Sequence, residues 1–95
     1  MLVEKKHKTL IIEHIRRYLP QATIHAFGSR VDGNAQPYSD LDLAVNNGKP
    51  IALNILFELK EALAETSIPY LIDLIDYHRL DDHFKQIIDE KSVLW

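Results

Sequence analysis

F-G-S-R-V-D-G-N-A-Q-P-Y-S-D-L-D-L-A-V, residues 27–45, is the stretch whose reading decides the fold. An apolar run from Ile24 to Phe27 ends in the small pair Gly28-Ser29. Ten residues later, Asp40-x-Asp42 stands at the head of a second apolar run, Leu41 to Val45. Residues two apart on a strand share a face. Leu41, Leu43 and Val45 therefore point one way, and Asp40, Asp42 and Ala44 the other. In the first run His25 and Phe27 oppose Ile24 and Ala26. Between the runs, Asp32-Gly33-Asn34 and Pro37 forbid a long regular element, which predicts a helical turn followed by a loop.

Working outward, residues 2–19 predict a helix. Leu2/Val3, Leu10/Ile11, Ile15 and Tyr18/Leu19 recur at helical spacing, and Pro20 stops it. His7 and His14 lie near the edge of that stripe and read as half-exposed imidazoles rather than metal ligands. Lys5, Lys6 and Lys8 form a solvated face. Residues 50–65 predict a second helix, with Pro50 as its first residue and Ile51, Ile55, Leu56, Leu59, Ala62 and Leu63 as its buried stripe. Residues 70–76 are the most apolar strand, and 81–90 a short helix carrying Phe84, Ile87 and Ile88. The tail Val93-Leu94-Trp95 either folds back on the core or belongs to a partner surface. The order β-α-β over 41–76 favours a parallel pair, while the shorter link between the first two strands allows either direction. The fold class is α/β (α+β): a small mixed sheet of about three strands flanked by helices.

With 95 residues, the expectation is one domain spanning 1–95. So small a core makes an oligomer or a permanent partner plausible. An apolar content of 46% and a charged content of 26% belong to a folded chain rather than a disordered one. The net charge of −3 argues against duplex nucleic acid as a direct partner. No apolar run is long enough to span a membrane, and no signal peptide is read at the N-terminus. The chain has no cysteine, which excludes disulfides and thiolate metal sites. The expected location is the cytoplasm.

The chemistry follows from the two ends of the opening stretch. Side-by-side carboxylates repel, and a divalent cation relieves them; Mg²⁺ in particular combines one or two carboxylates with substrate phosphates and water. At the other end, a glycine at a strand terminus lets phosphate approach backbone amides, and the Ser29 hydroxyl adds a donor. Arg30 could add a charge-assisted contact to a polyphosphate. A third acid comes from Ile72-Asp73-Leu74-Ile75-Asp76. Asp73 and Asp76 are three apart and face opposite ways, so at most one joins Asp40 and Asp42. Asp73 is taken as site-facing and Asp76 as a solvated strand-end residue. Each piece alone is common in plain scaffolds; the combination in this order is not.

Gly28-Ser29-x10-Asp40-x-Asp42 resembles the signature of the DNA polymerase β-like nucleotidyltransferase superfamily. Within it, the short length, Gly-Ser-Arg, Gly33, Ser39 and the later I-D-L-I-D resemble the minimal nucleotidyltransferases, the MNT antitoxins. The resemblance implies the nucleotidyltransferase fold, with Gly28 and Ser29 on the triphosphate. It further implies Asp40, Asp42 and Asp73 as catalytic and metal-binding acids, two Mg²⁺ ions and ATP as substrate. It implies a HEPN-domain toxin as a stable partner, in a type VII-like toxin–antitoxin pair where AMP is transferred to a tyrosine of the toxin. An alternative is a non-catalytic antitoxin that neutralises the toxin by binding. A small-molecule nucleotidyltransferase is less favoured, since no acceptor domain is seen in the sequence.

Overall fold

The computed structural model describes residues 3–36 and 39–95. Helix α1 (Lys5–Tyr18) opens the chain, followed by strand β1 (Thr23–Phe27) and a single helical turn, α2 (Ser29–Asp32). Strand β2 (Leu41–Asn46), helix α3 (Leu53–Ala64) and strand β3 (Ile72–Asp76) come next. A 3-10 turn (Tyr77–Arg79), helix α4 (Asp82–Lys91) and strand β4 (Val93–Leu94) close it. The expected helix at the N-terminus is present but starts at Lys5; Leu2 lies outside the described residues.

Among the described residues the sheet has four strands in the order β3-β2-β1-β4, one more than the sequence suggested. It is mixed: β1 pairs antiparallel with β2, and β2 pairs parallel with β3. The added strand is the apolar tail. It folds back antiparallel on β1, with Ala26 opposite Val93, and the Trp95 N–H donates to the Ile24 carbonyl at 2.9 Å.

One face of the sheet carries the core. Ile24 and Ala26 of β1, Leu41, Leu43 and Val45 of β2, and Leu74 of β3 pack against Ile11 and Ile15 of α1 and Leu56, Leu59 and Leu63 of α3. Periodicity of 3.6 on the helices and 2 on the strands brings these residues together. The opposite face meets α4, where Phe84 lies edge-on to Phe27 with ring centroids 6.0 Å apart. Asp81 caps α4 by accepting the Phe84 N–H at 2.8 Å. Among the described residues, no helix is long and apolar enough to cross a membrane.

Helix α3 begins three residues later than Pro50 suggested, and the cause lies across the chain. The Ile51 N–H donates to Asp76 Oδ2 at 2.7 Å, and Arg79 Nη2 donates to the Ile51 carbonyl at 2.8 Å. With both backbone groups of Ile51 held by side chains, the segment stays extended until Ala52 caps α3. Asp76 is therefore not a solvated strand-end residue. Its side chain is 1% exposed, also accepts the His78 N–H at 3.1 Å, and pairs with Arg79 Nε at 3.2 Å. It lies opposite Val45, on the core side of β3.

Candidate active site

Where β1 ends, β2 and β3 begin, and the residues of the opening stretch converge there. The sheet register sets Phe27 beside Asp42 on one flank and Asp73 beside Asp42 on the other. Asp42 and Asp73 thus stand on neighbouring strands, directly opposite and on one face. Asp40 precedes β2 and is exposed, as is Asp73, while Asp42 is half-buried between them. Desolvation pushes the Asp42 carboxyl above its ordinary value, and the charges of Asp73 and Asp40 push it further the same way.

Gly28 sits against this carboxylate. Its backbone has φ 83° and ψ −161°, a conformation essentially reserved for glycine. A Cβ at this position would overlap Asp42 Oδ2. Both the turn and the close approach therefore demand a residue without a side chain. The chain then winds into α2, where Val31 and Asp32 donate their N–H groups to the Gly28 carbonyl, each at 3.0 Å. Gly33, at φ 85°, ends the turn as a left-handed cap. The head of such a turn directs amides outward, the arrangement that suits phosphate oxygens.

Arg30, expected beside a polyphosphate, has partners within the fold. Its side chain is buried, its Nε donates to the Ser39 carbonyl at 2.7 Å, and its guanidinium stacks 3.9 Å from the centroid of the Tyr70 ring. The contact ties α2 to Ser39, the residue before Asp40, and to the lead into β3. Tyr70 was not singled out in the sequence, because nothing local connects it to a residue forty positions earlier. It also meets His7, whose ring stands edge-on at 5.7 Å. The Nδ1 of His14 is hydrogen-bonded to the Leu10 carbonyl at 2.9 Å.

The donors around Asp42 are all carboxylate oxygens, which suits a hard divalent cation. Burial, and after it the charges of Asp73 and Asp40, disfavour the ionised Asp42 carboxyl, and a cation beside it would offset this. Among the described residues, no three acid or imidazole side chains are gathered into a ready-made metal cage. An ion here would take part of its coordination from phosphate and water, which is how Mg²⁺ is usually held.

A mixed sheet that presents paired acids beside a glycine turn is compatible with chemistry at a phosphate-bearing substrate. Residues 10–95 match the family described as Polymerase beta, Nucleotidyltransferase. The chain belongs to this family and is a nucleotidyltransferase. It is similar to a Haemophilus influenzae protein named probable protein adenylyltransferase MntA, with 35% identity over 92 residues, 97% of this chain and 81% of the relative. Among solved structures it is similar to a chain of a toxin–antitoxin crystal structure with AMP-PNP. That match has a TM-score of 0.79 and 26% identity, covering 93% of this chain and 72% of the other. A further match lies in the complex of tri-AMPylated Shewanella oneidensis HEPN toxin with MNT antitoxin. It has a TM-score of 0.73 at 23% identity, covering 98% of this chain and 72% of the other, and is a likeness of fold.

Proposed function

We propose that residues 1–95 act as a single minimal nucleotidyltransferase domain that transfers AMP from ATP to a tyrosine hydroxyl of a HEPN-domain toxin in the cytoplasm, silencing it. The observation that carries this reading is the register of Asp42 with Asp73, with Gly28 packed against the Asp42 carboxylate. The likeness to an adenylyltransferase over 97% of the chain supports AMP as the transferred group.

In this reading Gly28 and Ser29 hold the triphosphate at the β1 flank. Asp40 and Asp42 would hold Mg²⁺, with Asp73 completing the set. The bound ion would supply charge neutralisation at the phosphates and orientation of the α-phosphate. Asp73, on the flank away from the triphosphate, accepts the proton of the incoming hydroxyl. The acceptor oxygen forms a bond to the α-phosphorus, and the bond from that phosphorus to the pyrophosphate oxygen breaks. Arg30 serves as a positioning residue, since it fixes Ser39 and with it the approach to Asp40.

The test is co-expression with a HEPN-domain toxin, followed by mass spectrometry of the toxin. Added AMP on a tyrosine is expected with the wild-type chain and none with Asp42→Asn. A toxin that is silenced yet carries no AMP would overturn transfer and leave neutralisation by binding.

A further inference from the structure

We infer that the cleft between the C-terminal half of α3 and the lead into β3 docks the polypeptide segment that carries the acceptor hydroxyl. This inference rests on the nucleotidyl-transfer reading of the site and names where its second substrate lies.

Displacement at phosphorus is in line, so the attacking hydroxyl and the leaving pyrophosphate approach from opposite sides. The strand order assigns those sides. Gly28 follows β1 on one flank of Asp42, and Asp73 lies on β3 on the other. With strands spaced at about 4.8 Å, the flanks are separated by about 10 Å, enough to hold a nucleotide's leaving end and an acceptor apart. The acceptor therefore arrives over β3.

A cleft of about 480 Å³ opens at the lead into β3, between it and the C-terminal half of α3, and it reaches the site through Asp40. Leu63, Ile68, Leu71 and Ile72 supply its apolar lining. Leu71 is 70% exposed. By alternation it shares the face of Asp73, and it adjoins Asp40 because its carbonyl accepts the Leu41 N–H at 2.9 Å. A single exposed leucine means little, but one placed beside the reacting acids at the mouth of an apolar cleft offers contact area to an acceptor. Lys60 is the one cation among the described lining residues. Asp40 is engaged with metal and nucleotide in this reading, so Lys60 is the charge left to select a partner.

The occupant is accordingly a segment with an apolar residue next to the acceptor hydroxyl, to cover Leu71, and an acidic residue to meet Lys60. Leu71→Glu and Lys60→Glu alter exposed side chains and leave the core untouched. Transfer from α-labelled ATP to a HEPN-domain toxin is measured together with binding of AMP-PNP and Mg²⁺ by calorimetry. The expected result is a KM for the toxin raised at least tenfold in each variant, with AMP-PNP affinity unchanged. Reversal of one acidic residue on the toxin to lysine should restore transfer by Lys60→Glu. Wild-type transfer with an unchanged KM in both variants would overturn the cleft alone. Loss of a homodimer in Leu71→Glu with transfer intact would assign the cleft to a second copy and overturn it equally. No transfer by the wild-type chain would overturn the underlying reading and the inference with it.

Discussion

Asp73 and Asp76 lie on one strand with opposite exposure, and alanine at each should separate activity from stability. The Asp76 carboxylate is 1% exposed and receives the Ile51 N–H at 2.7 Å and the His78 N–H at 3.1 Å. Ile51 itself is 1% exposed, so water cannot replace the lost acceptor. Leaving a buried N–H unsatisfied costs about 1–3 kcal/mol, and the second bond adds about 0.5–1.5 kcal/mol. The Arg79 partner is 43% exposed, so that ion pair adds only about 0–1 kcal/mol. A loss of about 3 kcal/mol is expected for Asp76→Ala, which lowers the melting temperature of a domain this size by about 12–24 °C. Asp76→Asn keeps one carbonyl oxygen and should lose roughly half as much. Asp73→Ala changes an exposed side chain and should melt within about 0.5 kcal/mol of wild type while abolishing transfer. Thermal melts followed by circular dichroism, beside a transfer assay with α-labelled ATP, read both axes. If Asp76→Ala melts within about 4 °C of wild type, the carboxylate does not hold Ile51 and the account of why α3 starts late is wrong.

Asp42→Asn should stabilise the fold while it stops transfer. The Asp42 carboxyl is raised by burial, then by Asp73 and Asp40, so ionising it disfavours the folded state, and the neutral amide removes that penalty. A gain in stability at pH 7 is expected in urea melts. It should fade as pH falls below the raised value toward the ordinary 3.8, because the wild-type carboxyl is then neutral too. A gain that persists undiminished at acid pH would refute the electrostatic cause. Gly28→Ala combines a strained φ of 83° with overlap of Asp42 Oδ2, and should lose about 1–3 kcal/mol and weaken AMP-PNP binding. Normal melting and normal affinity together would remove Gly28 from the site. Arg30→Lys gives up the stacking on Tyr70 and the Nε bond to Ser39, and should lower stability by about 1–2 kcal/mol. Its kcat should fall more than its AMP-PNP affinity, and an unchanged kcat would show that Ser39 needs no such anchor.

What could be read from the sequence was whatever depends on spacing along one strand or helix. The alternation of Leu41, Leu43 and Val45 with Asp42 defines two faces before any partner strand is known, and the same rule separates Asp73 from Asp76. The helices at 5–18, 53–64 and 82–91 follow from apolar periodicity in the same way. The fourth strand could not be read like this. Val93-Leu94 is too short to show alternation, and its pairing with β1 is decided by an edge whose existence depends on the rest of the sheet.

Asp76 and Arg30 have partners that no local reading supplies, for one shared reason. A charged residue in a sequence is assigned to solvent or to substrate, because its partners lie far along the chain. Asp76 is satisfied by Ile51, twenty-five residues back, and Arg30 by Ser39 and Tyr70. Both sit beside segments that would otherwise be unsupported loops, at the two ends of the sheet. The buried charges brace the backbone where the regular ladder stops, and Asp40, Asp42 and Asp73 keep access to solvent. Burial therefore divides these charged residues more sharply than residue type does: Asp40, Asp42 and Asp73 keep solvent-facing surface, whereas Asp76 and Arg30 are held within the frame beside them.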